Sequence, residues 1–246
     1  MTALADEPLA GRAATGPAAA PSTVVVLAKA PEPGKVKTRL CPPATPAQAA
    51  DLAAAALLDT LDAVRAVPGG RVVVALSGHR RAAARATAVA GALAGVAVVP
   101  QRGTDLGHRI AAAHLDAVAL RPGTPVVLVG MDTPQLRPEL LVEAAEHLRG
   151  DADAVLGPAA DGGWWVLGLR DPRRAALVRA VPTSRADTGE RTLRVLRGAG
   201  LRVALLAELR DVDTAADAVA VAAEAPGTRF AAAVAGVAAL HAARPW

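Results

Sequence analysis

The sequence predicts a single α/β domain in which helices pack on both faces of a mainly parallel β-sheet. Short apolar runs recur along the chain, and stretches of helical character separate them. The runs at 153–159 and 164–169 lie too close together for a helical crossover, which a parallel connection would need. We therefore expect one antiparallel strand in an otherwise parallel sheet.

The apolar runs are short and do not alternate with polar residues, a pattern typical of strands that are covered on both faces. The first reads TVVVLAK and the fourth PVVLVGMD. The predicted strands are 23–29, 71–77, 96–101, 125–132, 153–159, 164–169 and 201–209.

Helical stretches fill the segments between these strands. They are predicted at 46–66, 80–93, 104–120, 137–149, 188–199, 213–224 and 228–243. Because ligands of open α/β sheets bind beyond the carboxyl ends of the strands, the residues that follow each strand are the candidates for function.

Composition excludes several function classes. The 246 residues are 52% apolar, which is enough for one large core. The net charge of +4 comes from scattered arginines and only 2% of residues are aromatic, so we expect no nucleic-acid partner. Cys41, the only cysteine, cannot form an intramolecular disulfide, and the five histidines lack zinc-ligand spacing. Cys41 is interpreted as a bystander thiol, with substrate contact as the alternative.

Residues 1–22 mix Ala, Pro and Gly with acidic residues and lack the basic start and apolar segment of a signal peptide. We expect a disordered leader here and a folded domain over 23–246. No apolar run reaches the roughly 18 residues that a membrane-spanning helix needs. The prediction is a cytoplasmic protein without membrane association, for which a homodimer is left open.

The segment AKAPEPGKVKTRL after the first strand holds all three lysines of the chain, Lys29, Lys35 and Lys37, beside Arg39. Its prolines and glycine keep the backbone extended. Crowded cations repel one another unless they are solvated or face an anion, and a polyphosphate suits both ammonium and guanidinium groups. We predict that Lys29, Lys37 and Arg39 bind phosphates and that Lys35 is a surface residue. A solvated basic loop is the alternative.

Carboxylates that follow two other strands are candidates for metal binding. Asp132 ends a buried apolar run, where an unpaired carboxylate is unfavourable. One or two carboxylates, completed by water and phosphate oxygens, are sufficient to hold Mg²⁺, or Mn²⁺ in its place. Asp213, or Asp211, in ELRDVDTAADA could complete the site. The alternatives are a local turn bond for Asp132 and, in the second segment, a helix N-cap formed by Asp213 or Thr214.

The segment LGPAADGGWWVLGL is a third cluster. Asp161 stands at the mouth of a strand, Gly162 and Gly163 allow close backbone approach, and Trp164 can stack on a base or sugar. We predict that Asp161 acts in catalysis and that the Gly-Gly-Trp segment binds the acceptor. A simple turn between two strands is the alternative.

Two further segments carry candidate arginines. In QRGTDLGHRI, Thr104 and Asp105 can cap a helix, and Arg109 one turn later can reach an anion at the same sheet edge. His108 in that segment is interpreted as solvent-facing. Arg185, in PTSRADTGERTL, is a candidate for contact with the acceptor.

Together these segments resemble the nucleotide-diphospho-sugar transferase superfamily. LAKAPEPGKVKTRL looks like its phosphate-binding loop, GMDTPQL like its Gly-Ser/Met-Asp-x-Pro-x-Leu segment, and QRGTDLGHRI like its Gln-x-Gly-x-Asp-Leu-Gly-x-Arg pattern. The resemblance is closest to the radical-SAM/selenodomain-associated transferases (domain of unknown function 2064), often described as glycosyltransferases. The chain is more distantly similar to phospholactate guanylyltransferases.

The resemblance implies a Rossmann-like three-layer sandwich of the glycosyltransferase-A type. It implies that Ala28 and Gly107 bind the nucleotide along with the basic residues, and that Asp132 and Asp213 approach the metal. Trp164 and Trp165 stand where the family usually has tyrosines, which excludes a role that needs a phenolic hydroxyl.

No Ser/His/Asp or Cys/His set indicates a covalent nucleophile. We expect a Mg²⁺-dependent transferase that takes an NTP or NDP-sugar and a small-molecule acceptor. Nucleotidyl transfer from an NTP to a phosphorylated acceptor is favoured because the loop cations suit a triphosphate. Glycosyl transfer and a non-catalytic nucleotide-binding module are the alternatives. Base, sugar and acceptor are not identified by the sequence.

Overall fold

A computed structural model describes residues 22–242 of the chain. Its centre is a seven-stranded sheet with the spatial order β3-β2-β1-β4-β6-β5-β7. The strands are β1 (Thr23–Lys29), β2 (Arg71–Ser77), β3 (Ala97–Pro100), β4 (Val126–Val129), β5 (Ala154–Pro158), β6 (Trp164–Leu169) and β7 (Val203–Leu205).

Within residues 22–242, eight α-helices connect or flank these strands. They are α1 (Pro46–Arg65), α2 (Ala86–Leu93), α3 (Leu106–Leu120), α4 (Pro138–Arg149), α5 (Thr188–Gly198), α6 (Ala215–Glu224), α7 (Arg229–Ala235) and α8 (Ala238–Ala242). Short 3₁₀ helices cover Thr38–Leu40, Arg80–Ala82 and Pro172–Ala180. Among the described residues, no helix is both long and apolar enough to cross a bilayer.

The sheet is parallel except at β6, as expected. β1 pairs in parallel with β2 and β4, while β6 runs antiparallel to both β4 and β5. Because β6 runs the opposite way, its first residue, Trp164, lies at the same sheet edge as the carboxyl end of β4. The segments after β1 and β4 and before β6 therefore meet at one edge.

Helices cover both faces of this sheet, which confirms the predicted three-layer α/β architecture. Val24 and Val26 of β1 point to a core formed with α1, α2 and α4. Val25 points to the opposite core, which α3, α5 and the 3₁₀ helix Pro172–Ala180 complete. This alternation is the side-chain period of a strand, and it explains why both faces had to be apolar. A third cluster joins α1 to the C-terminal helices around Phe230.

Most differences from the sequence prediction lie at element ends. The predicted helix 80–93 is split, because Arg85 adopts a left-handed backbone conformation (φ 51°) immediately before α2. The predicted helix 228–243 divides at Gly236 into α7 and α8. The 3₁₀ helix Pro172–Ala180 was not predicted. Residues 1–21 of the predicted leader lie outside the described residues, while Ser22 is buried and accepts a backbone hydrogen bond from Arg71.

Candidate functional site

A cavity of about 730 Å³ opens at the sheet edge where β1 and β4 end and β6 begins. Apart from Ala53 of α1, its walls come from six parts of the chain that are distant in sequence. They are residues within 27–39, 101–110, 128–133, 161–165, 183–188 and 211–217. Eleven of the thirteen residues predicted to form the site line this cavity, namely Ala28, Lys29, Lys37, Arg39, Arg109, Asp132, Asp161, Gly163, Trp164, Arg185 and Asp213.

A buried glutamate holds the basic loop in place above β1. The Glu32 carboxylate accepts hydrogen bonds of 2.7 Å from the His79 backbone amide and from the Lys35 ammonium. The Lys35 hydrogen bond and that from the His79 amide keep the pKa of Glu32 below its usual value. Lys35 is largely exposed, at 63% of its side chain, and lies at the rim of the cavity. The residues that follow this anchored turn, 36–39, belong to the cavity lining.

Lys37 and Asp132 form the centre of the site. The Lys37 ammonium lies 2.9 Å from Asp132 Oδ1 and 3.2 Å from Asp213 Oδ1. Arg39 reaches the other oxygen of Asp213 at 3.1 Å. Two cations from the loop after β1 thus meet two carboxylates from the loops after β4 and β7.

Burial of the Lys37 ammonium acts to lower its pKa, since a charged group loses hydration. Attraction to Asp132 and Asp213 outweighs this effect and raises the pKa above its ordinary value of 10.5. Lys37 is therefore a fixed positive charge at neutral pH and cannot serve as a base.

Asp213 is free to join this cluster because its neighbour caps the helix that follows. Thr214 is the N-cap of α6, and it forms a capping box with Asp217. Of the two residues that could have capped this helix, the structure uses Thr214 and leaves Asp213 for the cavity. The backbone also fixes its position, because the amide of the preceding residue, Val212, donates to the Asp132 carbonyl at 3.0 Å.

Asp211 is a fourth carboxylate in the cavity, beside Asp132, Asp161 and Asp213. Burial is the main cause that raises its pKa, to about 7, and the negative charges of Asp132 and Asp161 add to the effect. At neutral pH this side chain therefore exchanges a proton more readily than an ordinary carboxyl. From the sequence, Asp211 was the weaker candidate of the two, because its burial could not be inferred from the pattern.

Two cations of the cavity have no carboxylate partner among residues 22–242. The Lys29 side chain forms no ion pair there, and the Arg109 guanidinium donates only to the Gly103 carbonyl, at 3.4 Å. Arg185, by contrast, donates to Asp187 at 3.2 Å. Lys29 and Arg109 are thus the positive groups that an incoming anion can contact without breaking an ion pair.

The turn between β5 and β6 forms another part of the cavity wall. Asp161 Oδ1 accepts a 2.7 Å hydrogen bond from the Gly163 amide, which fixes the carboxylate at the start of β6. Trp164 lines the cavity and is partly buried. Trp165 is 2% exposed and donates its indole N–H to the Ala207 carbonyl. One tryptophan faces the cavity and the other belongs mainly to the core, as the alternation of a strand requires.

The structure does not bring two of the predicted site residues, Gly107 and Gly162, to the cavity lining. A Cβ on Gly107 would lie 2.9 Å from the Val178 carbonyl oxygen, and one on Gly162 would lie 1.9 Å from that of Ala186. Both glycines permit close backbone packing. Gly162 also has φ 85°, which favours glycine.

Two other side chains near the site behave as ordinary structural groups. His108 is exposed and its ring contacts Asp105, the N-cap of α3. Cys41 does not line the cavity and packs against the cluster around Phe230. The interpretation of Cys41 as a bystander thiol agrees with this position.

Some residues of the cavity were not singled out from the sequence. Gln101 donates to the Ala28 carbonyl at 2.8 Å and to the Ala75 carbonyl at 3.0 Å, which ties the ends of β1 and β2 to the wall. Ser184, with φ 60°, adds a second wall segment. Gln101 opens the QRGTDLGHRI segment and could have been identified from it, whereas no local signal marks Ser184.

The protein side chains supply only part of the ligands that a divalent ion needs. Within residues 22–242 no group of three or more His, Cys, Asp or Glu side chains is arranged to hold a metal. Asp132 and Asp213 together offer two carboxylates, and the Lys37 ammonium already bridges them as a cation would. This matches the chemistry of Mg²⁺ sites that rely on one or two carboxylates and on substrate phosphates.

Comparison with known proteins identifies one family. The model of a family described as "Uncharacterized protein conserved in bacteria (DUF2064)" matches residues 60–185. No curated protein matches the sequence significantly.

Several solved structures share the fold. A provisionally named nucleotide-diphospho-sugar transferase from Desulfovibrio desulfuricans G20 is 29% identical, with a TM-score of 0.77 over 89% of this chain and 96% of its own. A nucleotidyl transferase from Methanothermobacter thermautotrophicus is 20% identical, with a TM-score of 0.52 over 81% of this chain and 95% of its own. A 4-diphosphocytidyl-2C-methyl-D-erythritol synthase from Anaerococcus prevotii is 12% identical, with a TM-score of 0.52 over 88% and 96%. The last two likenesses concern the fold alone.

Proposed function

The chain belongs to the DUF2064 family of bacterial proteins, and from the geometry of its cavity we propose that it is a Mg²⁺-dependent transferase with a nucleotide donor. The observation that carries this proposal is the meeting of opposite charges at one sheet edge. Asp132 and Asp213 lie beside Lys37, while Lys29 and Arg109 in the same cavity lack carboxylate partners. A divalent ion can bind the two carboxylates, and phosphate groups can bind the two cations that lack a carboxylate partner.

The reaction that we favour is nucleotidyl transfer to a phosphorylated acceptor. An acceptor oxygen attacks the α-phosphorus of an NTP, the bond to the bridging oxygen breaks, and pyrophosphate leaves. Lys29 and Arg109 bind the phosphates, and Lys37 and Arg39 neutralise the charge that develops on the pyrophosphate. A bound Mg²⁺ supplies further positive charge to the phosphate oxygens.

Asp132 and Asp213 would hold the ion, and the remaining side chains serve the acceptor. Trp164 offers an aromatic surface in the cavity, and Arg185 belongs to the same lining. Asp161 also lines the cavity and is held by its bond to the Gly163 amide. In this assignment Asp161 is the catalytic carboxylate that contacts the acceptor.

Glycosyl transfer from an NDP-sugar is the second candidate. The Desulfovibrio protein supports it, since it is similar over most of both chains and is named for a nucleotide-diphospho-sugar substrate. In that reaction the acceptor hydroxyl attacks the sugar, and a nucleoside diphosphate leaves. The same cations would neutralise this leaving group.

A thermal-shift panel of NTPs and NDP-sugars with Mg²⁺ tests the proposal, because a bound ligand raises apparent stability by mass action. We expect at least one class to raise the melting temperature only when Mg²⁺ is present. Product analysis then separates the reactions, since pyrophosphate marks nucleotidyl transfer and nucleoside diphosphate marks glycosyl transfer. No shift with any member of either class would contradict the proposal.

A non-catalytic nucleotide-binding module is distinguished by Asp161. We expect Asp161→Ala to retain nucleotide affinity and to lose turnover. A wild-type protein that binds its nucleotide but transfers it to no acceptor tested would favour the module.

A further inference from the structure

The Lys37 ammonium occupies an unusual position in the cavity. Only 10% of its side chain is exposed, whereas its partners Asp132 and Asp213 are 40% and 36% exposed. The cation therefore lies on the inner side of the carboxylate pair, and the outer sides of both carboxylates remain open to the cavity. Another cation can still reach part of each carboxylate. The position between the two carboxylates, however, is occupied by the Lys37 ammonium.

The backbone at Lys37 departs from the usual conformations of a non-glycine residue. Lys37 has φ 48° and ψ 38°, and only Arg85 and Ser184 share a positive φ among the non-glycine residues described. This left-handed conformation is unfavourable by about 1 kcal/mol or more and persists where the surroundings enforce it. The Lys37 carbonyl accepts a hydrogen bond from the Leu40 amide at 3.0 Å within this turn. In this conformation the ammonium reaches its two carboxylate partners.

Charge balance in this group of four side chains opposes a free divalent ion. Asp132 and Asp213 contribute two negative charges, and Lys37 with Arg39 contributes two positive ones. An ion that arrives alone must compete with the ammonium for the same oxygens and leaves the group with excess positive charge. An ion that arrives with phosphates brings negative charge and offers the ammonium other oxygens to bind.

We propose that Lys37 is an exchangeable counter-cation, which excludes free divalent ions from the Asp132–Asp213 pair until a phosphate-bearing ligand draws the ammonium away. The inference rests on the proposed function, because it assumes that the carboxylate pair holds the ion. Metal and nucleotide then bind with positive coupling. By thermodynamic reciprocity, each raises the affinity of the other by the same factor.

The test measures binding of Mn²⁺ alone, by electron paramagnetic resonance of the free ion, with no nucleotide present. We expect Lys37→Met to bind Mn²⁺ about tenfold or more tightly than the wild type, because a charge-assisted contact that competes with the ion has been removed. Arg102→Met is the matched control, since it also removes one positive charge but lies outside the cavity lining, where Arg102 pairs with Asp116. It should bind Mn²⁺ as the wild type does. Equal affinities of Lys37→Met and wild type would overturn the proposal.

Two further variants locate the effect. Lys37→Arg keeps a positive charge and should retain the exclusion, whereas the double variant Lys37→Met, Asp132→Asn should lose the gained affinity. A double variant that still binds Mn²⁺ tightly places the ion elsewhere and contradicts the inference.

Lys37→Gln repeats the experiment with a polar side chain, and melting curves identify which of the two neutral variants is folded for the measurement.

A second titration separates this inference from the proposed function. Repeated with a non-hydrolysable NTP, it should show that Mn²⁺ affinity rises with nucleotide more in the wild type than in Lys37→Met. If both proteins gain equally, the proposed function stands and the exchange is wrong. If neither binds Mn²⁺ with or without nucleotide, both proposals fail.

Discussion

At the scale of single residues, the site depends on charges that neutralise one another across long sequence distances. Lys37 lies 2.9 Å from Asp132 and 3.2 Å from Asp213, although the three residues come from three loops. The sequence identified each of these residues as a candidate from its place after a strand. It could not reveal that the lysine binds the carboxylates directly, because the pairing depends on how three loops fold over one edge.

The first prediction concerns the metal. Asp132→Asn removes a negative charge and keeps the size of the side chain, so metal-dependent nucleotide binding should fall by about tenfold or more, as expected for the loss of a charge-assisted contact. Calorimetric titration of an NTP with and without Mg²⁺ measures the effect. Asp153→Asn is the matched control, because Asp153 caps the distant start of β5 through Arg202. Unchanged Mg²⁺ dependence in Asp132→Asn would count against the site.

The second prediction concerns the unpaired cations. Arg109→Met should weaken triphosphate binding by about tenfold, which corresponds to a contact of about 1.4 kcal/mol, and leave binding of the free nucleoside nearly unchanged. Arg102→Met is the control, since Arg102 lies nearby but pairs with Asp116 on the surface. Competition titrations with nucleoside, mono- and triphosphate measure both variants. An equal loss for nucleoside and triphosphate would mean that Arg109 only supports the fold.

At the scale of elements, the apolar runs and the breaks between them predicted most of the architecture. The predicted limits of β1, β2 and β6 agree with the structure, and the helices are correct to within a few residues where capping groups mark their ends. Errors occurred where the backbone conformation has no simple sequence signal, as at Arg85. The same limit applies to Gly107, which matches a family pattern but serves to pack α3 against the 3₁₀ helix Pro172–Ala180.

The third prediction tests that role of Gly107. A methyl group there would lie 2.9 Å from two backbone carbonyl oxygens, so Gly107→Ala should reduce the free energy of unfolding by about 1–3 kcal/mol. Gly91→Ala is the control, because nothing lies within 4 Å of its added methyl and α2 should gain up to about 1 kcal/mol. Urea denaturation measures both. A Gly107→Ala protein as stable as the wild type would refute the packing role.

The fourth prediction concerns His114 in α3, which is fully buried and lies with Nδ1 2.9 Å from the Ile110 carbonyl oxygen. Burial lowers its pKa from 6.5 to about 4. Between these values the unfolded chain binds a proton that the folded chain does not, so this histidine removes stability as pH falls. Its contribution between pH 7 and pH 5 is a loss of about 2 kcal/mol.

Asp211 has the opposite effect on the free energy of unfolding. Its pKa is raised to about 7, so the folded chain binds a proton more readily than the unfolded chain, and this carboxyl adds stability as pH falls. The wild-type pH profile therefore contains both contributions. The informative measurement is the difference in unfolding free energy between wild type and His114→Gln at pH 7 and at pH 5. We expect this difference to shift in favour of the variant by about 2 kcal/mol at the lower pH. A difference that does not depend on pH would contradict a neutral buried His114.

At the scale of the whole molecule, the reversal of β6 assembles the site. A fully parallel sheet would place the start of β6 at the far edge, away from Asp132, whereas the antiparallel strand brings Asp161 and Trp164 to the cavity. The sequence predicted this reversal from the short link between β5 and β6. It did not predict the spatial order of the strands, which depends on long-range packing and which decides that β1 and β4 are neighbours.

The proposed function requires one cavity to bind a divalent ion and a nucleotide through opposite charges. The most direct measurement is a crystal structure with a non-hydrolysable NTP and Mn²⁺, in which anomalous scattering locates the ion. We expect the Mn²⁺ peak in direct contact with Asp132 and the phosphates in contact with Lys29 and Arg109. A nucleotide bound away from this sheet edge, or a Mn²⁺ peak that does not contact Asp132, would contradict it.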